Sequence, residues 1–390
     1  MSQPATARRL SWVQPPVIPV MGELIAQTPG TISLGQGMVS WGPPAQVRAA
    51  AAASLADPGE SLDRYGPVAG NPELRQALKQ WLQTEHQLDL TSSELVITAG
   101  SNMAFNALVQ VLCDPSDELI LPVPYYFNHE MAIRLAGGIP VAVQAGVIPD
   151  PQQLAAAITP RTRAIVTISP NNPSGAVVPL DVLQAINRLC ADRGLLHISD
   201  EAYALFGHDS AALWSPGSAP GSGAHTVTLG SLSKSHGMAG WRIGWAVVPP
   251  ALMADLAKVQ DTILIHPPHL NQRAALAALN AGGDWCRQQI ATLLPRQQQV
   301  LHALQRADAP WELACKPDGA FYALLKLQSS LSSDQAMERL IRGHQVALVS
   351  GSSFGLEGCW LRLSYGMLGE ADLAEALQRL VRGLQELALG

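Results

Sequence analysis

The most restrictive feature of this chain is a repeated alternation of short apolar segments with amphipathic ones. The strand-like segments are 94–100, 117–122, 163–170, 195–200, 226–233 and 242–249. Helical spacing of apolar residues follows the first of them directly and recurs near 127–137 and at 181–193. Strands that alternate with helices favour a mostly parallel sheet covered by helices on both faces. We therefore predict an α/β fold.

The pattern changes after about residue 250. A long helical stretch is followed by two strands that flank a helix, and then by a final helix, at 250–306, 320–328, 333–343, 359–365 and 370–388. At roughly 100–200 residues per domain, a chain of 390 residues is long enough for two. We predict a large domain at 45–285 and a smaller α+β domain formed by 1–44 together with 286–390.

Composition excludes several classes of protein. The net charge is −6 and charged residues make up 14% of the chain, which disfavours a nucleic-acid partner. The sequence contains no apolar run of 18 residues, so we expect no membrane span. Its five cysteines are widely spaced and form no C-x-x-C pair, which argues against a disulfide framework and against a metal site. A cytoplasmic protein is the default expectation.

The segment with the clearest chemistry runs from Ser231 to Arg242 and reads S-L-S-K-S-H-G-M-A-G-W-R. Lys234 follows a predicted strand in a loop of small, polar residues. An amine in that position can form a Schiff base with a carbonyl compound if its pKa is lowered. Ser231, Ser233 and Arg242 could together hold a phosphate group. Outside such a context, a lone loop lysine is usually a solvated surface charge.

This segment resembles the lysine loop of the class I/II pyridoxal-phosphate aminotransferases, which have fold type I. Three other signatures of that family stand in the right order: the Asn172-Pro-Ser-Gly turn, Asp200-Glu-Ala-Tyr203, and Arg362 near the C-terminus. The resemblance covers almost the whole chain. It implies a large domain with a mostly parallel seven-stranded sheet, and a ping-pong exchange of an amino group between amino acids and 2-oxo acids.

The resemblance also implies a role for each residue at the cofactor ring. Lys234 would carry pyridoxal phosphate and act as the general base. Asp200 ends a strand, where α/β sheets place ligands, and would pair with the pyridine nitrogen. Tyr203 and Asn172 would bind the phenolate oxygen of the ring. Asn172 is also a suitable turn residue, and a capping role remains the alternative for Asp200.

The same resemblance implies contacts with the phosphate and with the face of the ring. Ser101 and Asn102 open a helix directly after a strand, and helix N-termini bind phosphate. A plain N-cap at Ser101 is the alternative. Tyr126 would stack on the ring, with Tyr125 as the adjacent possibility. Tyr65 would reach the phosphate of a neighbouring subunit, which implies a homodimer with shared sites. Core packing is the alternative for Tyr65 and Tyr126.

The substrate would be held by its α-carboxylate, which the guanidinium fork of Arg362 can bind in bidentate fashion. The backbone at Gly37 would approach the same carboxylate, and Trp41 lies in the same N-terminal segment. Relatives that take dicarboxylates use a second arginine from the partner subunit. The corresponding stretch, 265–269, has none, and Arg273 lies past the expected place. Aromatic or neutral donors such as methionine and glutamine are therefore favoured.

Short segments around these residues look closest to methionine-dependent aromatic and glutamine/kynurenine aminotransferases. The segments are QG-x-V-x-W-x-P-P, R-Y-G-P, P-Y-Y-F-N, N-P-S-G and K-S-H-G-M-A-G-W-R. An aspartate aminotransferase and a β-lyase on the same fold remain alternatives. A nicotinamide enzyme is disfavoured because no G-x-G-x-x-G follows a strand. Trp12, Trp41, Trp241 and Trp360 cluster in sequence near these motifs and predict an aromatic-lined pocket.

Overall fold

The computed structural model describes residues 6–57, 59, 62–208 and 211–389. The strands in that part of the chain are β1 Ile32–Ser33, β2 Glu94–Thr98, β3 Glu118–Pro122, β4 Ile139–Val143, β5 Thr162–Ile168, β6 Leu196–Asp200, β7 Thr226–Ser231, β8 Gly244–Val248, β9 Trp311–Leu313, β10 Tyr322–Leu327, β11 Val346–Ala347, β12 Val349–Ser350 and β13 Trp360–Ser364.

The α-helices of the same part alternate with these strands up to β8 and then dominate. They are α1 Val17–Gln27, α2 Ala45–Ala56, α3 Pro72–Glu85, α4 Ser101–Leu112, α5 Phe127–Ala136, α6 Pro151–Ala156, α7 Leu180–Arg193, α8 Pro250–Ile263, α9 His269–Leu279, α10 Gly282–Ala291, α11 Leu294–Leu304, α12 Ser333–His344 and α13 Glu370–Leu389. None of these helices has the length and apolarity needed to cross a bilayer.

The central sheet has seven strands in the order β2-β8-β7-β6-β5-β3-β4. All neighbouring pairs are parallel except the two that involve β8. The α/β class and the mostly parallel seven-stranded sheet are therefore confirmed. Six of the strands match predicted segments. The prediction missed β4, an edge strand of mixed burial that contains Pro140 and so lacks the clean apolar run of the buried strands.

A second sheet, of four antiparallel strands, has the order β12-β13-β10-β9. The N-terminal segment joins this half of the molecule, because β1 pairs in parallel with β11 and α1 contacts α12. The predicted domain boundary at residue 285 falls inside α10. The division into 45–285 and the remainder therefore stays a prediction.

The fold brings chemistry-bearing residues to one edge of the central sheet. β6 ends at Asp200, β7 ends at Ser231, and β2 leads through Gly100 into α4. The carboxyl ends of parallel strands in α/β sheets are where ligands bind. The antiparallel sheet brings β13, and with it Arg362, towards the same edge. Arg362 hydrogen-bonds Asn172, in the turn that follows β5, and so links the antiparallel sheet to the carboxyl edge of the central sheet.

Ile198 in the middle of β6 and Ile139 at the edge of the sheet form a matched pair for a stability test. Ile198 is fully buried, whereas Ile139 is 42% exposed. We expect Ile198→Ala to lower the free energy of unfolding by about 2–5 kcal/mol, because it leaves a cavity in the core. Ile139→Ala should cost less than about 1 kcal/mol. Urea titration of both variants measures the difference, and equal losses would contradict the assigned burial.

Candidate active site

One cavity at the carboxyl edge of the sheet collects nearly all of the residues that the sequence singled out. The residues proposed to bind the cofactor or the substrate line it, with the exception of Tyr65 and Trp41: the cavity contains Gly37, Ser101, Asn102, Tyr126, Asn172, Asp200, Tyr203, Ser231, Ser233, Lys234, Arg242 and Arg362. The sequence did not single out the remaining lining residues, which are Ile18, Gln36, Met38, Phe127, Ile168, Ala202 and Tyr322.

Lys234 stands in the loop after β7, and its Nζ donates a hydrogen bond to the carbonyl oxygen of Gly37. Burial, together with the positive charges of Arg362 and Arg242, lowers the pKa of this amine to about 8. About a tenth of the amine is therefore uncharged at pH 7. An uncharged amine is the form that attacks a carbonyl carbon.

Arg362 is 2% exposed, and the rings of Tyr322 and Phe354 lie 4.6 and 5.4 Å from its guanidinium carbon. Its Nη1 donates to Asn172 Oδ1 at 2.9 Å and its Nη2 to Gly35 O at 2.6 Å. Its Nε is buried and has no hydrogen-bond partner. No carboxylate of the described residues pairs with this charge, so the cavity carries an unmatched guanidinium suited to an anion.

Asp200 is buried and is held from two sides. Its Oδ2 lies 3.0 Å from Nε2 of His129 on α5, and its Oδ1 accepts the backbone N–H of Ala202 at 3.1 Å. The His129 ring packs against Phe105, with 4.1 Å between centroids. Sequence reasoning missed His129, because a single histidine on a helix carries no local signal of what it faces. Asp200 ends a strand and caps no α-helix, so the capping alternative is wrong.

Two buried tyrosines share a hydrogen bond beside this carboxylate. The hydroxyl oxygens of Tyr203 and Tyr322 lie 2.7 Å apart. Burial raises the pKa of Tyr322 to about 12 and that of Tyr203 well above its ordinary value. Both phenols therefore keep their protons at neutral pH. One O–H donates to the other hydroxyl, and the second O–H is left to donate a hydrogen bond into the cavity. Tyr322 comes from β10 in the second sheet, and no local sequence pattern marks it as a partner of Tyr203.

The first turn of α4 and the Arg242 side chain form a positively polarised corner. The N-cap is Gly100, at φ +86°, and no side chain caps the helix, so Ser101 is not the N-cap. Arg242 donates to Ala239 O at 2.8 Å and to Ala99 O at 3.1 Å, and a Cβ on Gly100 would overlap its guanidinium. The free N–H groups of the helix and this cation can bind a phosphate together.

In the turn from residue 169 to residue 175, two neighbouring asparagines have different roles. Asn171 Oδ1 accepts hydrogen bonds from the N–H and the hydroxyl of Ser174, which closes the turn. Asn172 is left free to face the cavity and to accept the bond from Arg362. The turn role that the sequence allowed for Asn172 thus belongs to Asn171.

The aromatic lining consists of tyrosine and phenylalanine. Tyr126, Phe127, Tyr203 and Tyr322 line the cavity, whereas no tryptophan does among the described residues. Burial raises the pKa of the Tyr126 phenol, whose oxygen accepts a bond from Asn128 at 2.8 Å.

The predicted tryptophan contacts with the cavity are therefore absent within this chain. The Trp41 ring stacks on Phe206 at 6.3 Å, and the Trp360 ring lies under the Lys326 amine. Trp12 is 55% exposed, and Trp241 packs partly buried against the core without lining the cavity. Nearness in sequence to a motif was a poor guide here, because the contacts of a side chain depend on the folded chain and not on its neighbours in sequence.

The comparison with known proteins agrees with this geometry. The model of the family described as aminotransferase class I and II matches residues 29–380. The chain belongs to this family. An aromatic aminotransferase of Arabidopsis thaliana is 33% identical over 98% of this chain and 96% of its own length. An aspartate/prephenate aminotransferase of Thermus thermophilus is 36% identical over 93% of both.

Solved structures agree as well. The aspartate aminotransferase from Thermus thermophilus with maleate superposes with a TM-score of 0.88 at 32% identity, covering 98% of this chain and 100% of that one. The resemblance carried by the four sequence motifs is confirmed. The protein is an aminotransferase, and enzymes of this class and fold use pyridoxal phosphate.

The residues of the cavity fit that cofactor. An aldehyde-bearing, phosphorylated aromatic ring needs a reactive amine, an anion site and polar groups along its edge. Lys234 supplies the amine, and the corner of α4 and Arg242 supplies the anion site. Gly100 leaves open the space beside Arg242 that a Cβ would fill.

We expect Gly100→Ala to weaken pyridoxal phosphate binding at least about tenfold, which corresponds to about 1.4 kcal/mol. The new methyl group would displace the Arg242 guanidinium and strain the backbone at φ +86°. Gly137→Ala is the control, because Gly137 has φ +88° but no atom within 4 Å of the added Cβ. Titration of each apoenzyme with the cofactor gives the dissociation constants. Equal constants for both variants would refute the assignment of this corner.

Proposed function

We propose that this aminotransferase moves an amino group between an aromatic or neutral amino acid and a 2-oxo acid. The observation that carries the proposal is the set of cations in the cavity. Among the described lining residues, these are Lys234, Arg242 and Arg362. Each has a proposed task, and no fourth cation among the described lining residues remains for a second carboxylate on the substrate. The stretch 265–269, where an arginine reaching in from the partner subunit would be expected, contains none.

In this proposal Lys234 carries the cofactor, and the bound cofactor supplies an electron sink for the pair of electrons left at the substrate Cα. Asp200, held by His129, would face the pyridine nitrogen. Asn172 and Tyr203 would donate to the phenolate oxygen. Tyr126 would cover one face of the ring.

The phosphate would sit at the N-terminus of α4. The residues proposed to hold it are Ser101, Asn102, Ser231, Ser233 and Arg242. All of them line the cavity, and the helix end supplies free N–H groups. Arg242 is exposed, and it adds the full charge that backbone dipoles lack.

Arg362 would orient the substrate. Its free Nε–H and remaining Nη hydrogens can bind the two oxygens of an α-carboxylate. With the backbone at Gly37 nearby, this fixes the Cα–H bond relative to Lys234. The amine of Lys234 would then take the proton from Cα and return one in the opposite half-reaction.

The remaining surface of the cavity supports an uncharged side chain on the substrate. Ile18, Met38 and Phe127 contribute apolar groups, and Tyr322 contributes a phenol. The related proteins include both aromatic and aspartate/prephenate aminotransferases, so a dicarboxylate substrate is the second candidate. A β-lyase on the same fold is the third. Trp41 remains a predicted substrate contact that would require the segment around it to move.

We also propose a homodimer in which Tyr65 reaches the cofactor phosphate of the other subunit. Within its own chain Tyr65 is 84% exposed and lies outside the cavity. Core packing is thereby ruled out for Tyr65. The cytoplasmic location stays a prediction.

The lowered pKa of Lys234 predicts the pH dependence of cofactor addition to the apoenzyme. The rate should rise as pH increases through about 8 and level off above it, because only the uncharged amine reacts. In Arg362→Gln the pH at which the rate is half-maximal should move upward. The positive charge of Arg362, which lowers the pKa of Lys234, is lost, while the larger effect of burial remains. Stopped-flow absorbance measures the rate. Lys234→Ala is the control and should show no turnover. A midpoint near that of a free lysine, above pH 10, would contradict the prediction.

A panel of amino donors tests the substrate class. With a common 2-oxo acid, we expect kcat/KM for phenylalanine, tyrosine, methionine or glutamine to exceed that for aspartate by at least about tenfold. The physical reason is that a second carboxylate in this cavity would lose its hydration without gaining a cation as partner, which disfavours its binding. Comparable values for aspartate would favour the dicarboxylate alternative. Release of ammonia without any 2-oxo acid acceptor would favour the lyase.

A further inference from the structure

The loop that carries Tyr65 is held by side chains of α8, α9 and the segment between them. Its far end is anchored by two buried glutamines: Gln260 Nε2 donates to Val68 O, and Gln272 Oε1 accepts from Asn71 N–H at 2.7 Å. Its near end is held at Gly66, the residue after Tyr65. The Gly66 N–H donates to Nε2 of His266 at 2.8 Å.

The contacts of His266 define which of its ring nitrogens carries the proton. Its Nδ1 lies 2.7 Å from the carbonyl oxygen of Pro267, which can only accept. The proton is therefore on Nδ1, and Nε2 offers a lone pair to the Gly66 N–H. The neutral imidazole satisfies both neighbours at once. His266 is therefore the hydrogen-bond acceptor for the backbone N–H of Gly66, in the loop that carries Tyr65.

The imidazole of His269 also lies close to Gly66. The rings of His266 and His269 lie 4.6 Å apart, and a Cβ on Gly66 would lie 2.7 Å from Nε2 of His269. A side chain at position 66 would therefore require the His269 ring to move. Tyr65 itself is exposed, so its own side chain makes little of the packing that would fix its direction.

We infer that His266 is a positioning residue for Tyr65. It fixes the backbone directly after the tyrosine, and so aims the phenol at the cofactor phosphate across the subunit interface. This inference rests on the proposed role of Tyr65 in the partner's site. Gln260 and Gln272 cannot replace His266, because they bind the backbone at Val68 and Asn71, two and five residues after Gly66.

The test is a double-mutant cycle on the holoenzyme, with Tyr65→Phe, His266→Leu and the double variant. The readout is the rate constant for release of pyridoxal phosphate. We expect each single variant to release it at least about tenfold faster, the usual cost of one lost hydrogen bond to a charged group. The double variant should match Tyr65→Phe alone, since His266 would act only through that phenol.

Rescue separates positioning from a general loss of structure. In His266→Gln the amide oxygen can still accept the Gly66 N–H, so release should stay within about twofold of the wild type. Deuterium exchange of the apoenzyme should show faster exchange at the Gly66 amide in His266→Leu but not in His266→Gln. His302→Leu, an exposed imidazole on α11, is the matched control and should change neither readout.

The outcomes distinguish the inference from the function on which it rests. If Tyr65→Phe accelerates release and His266→Leu does not, the inference fails and the shared site stands. If Tyr65→Phe has no effect, the proposed role of Tyr65 fails, and the inference with it. If the effects of the two variants multiply in the double variant, His266 acts independently of Tyr65 and the inference is overturned.

Discussion

The interaction on which the site depends is the burial of the Arg362 guanidinium between the two sheets without a carboxylate partner. A charge removed from water is costly unless it is paired or hydrogen-bonded. Here Asn172, in the turn after β5, and the backbone carbonyl of Gly35 accept two hydrogen bonds from the guanidinium, and the rings of Tyr322 and Phe354 pack against it. The fold thus stabilises the cation in place but leaves it electrostatically unmatched. An α-carboxylate is the group that would complete it.

The same charge acts on the other groups in the cavity. Together with burial and Arg242, it lowers the pKa of Lys234 to about 8, so more of this amine is uncharged near neutral pH than of a free lysine. It also opposes the rise that burial causes in the pKa of Tyr203 and Tyr322. Arg362 therefore has two roles in the proposed site: it would bind the substrate, and its charge lowers the pKa of Lys234.

Sequence reasoning was most successful where the signal is local. The buried strands of the central sheet read as apolar runs, and Asp200, Ser231 and Lys234 follow from their position at strand ends. It failed where a role depends on contacts between distant segments. Tyr322 meets Tyr203 only because β10 lies beside the large sheet, and His129 meets Asp200 only because α5 packs there. Neither residue carries a motif of its own. For Trp41 the error was the opposite one. Trp41 lies in a motif-like segment of the sequence, but its ring does not reach the cavity.

The hydrogen-bond capacity of Arg362 explains how substrate could enter without dismantling this arrangement. A guanidinium has five N–H groups. Two are used by Asn172 and Gly35, and the Nε–H has no partner. Three therefore remain, one more than a bidentate carboxylate needs. Binding would add two charge-assisted bonds while Asn172 stays attached to the guanidinium. The substrate would thus meet an already positioned fork, and the binding energy would not be spent on breaking the contact that joins the two sheets.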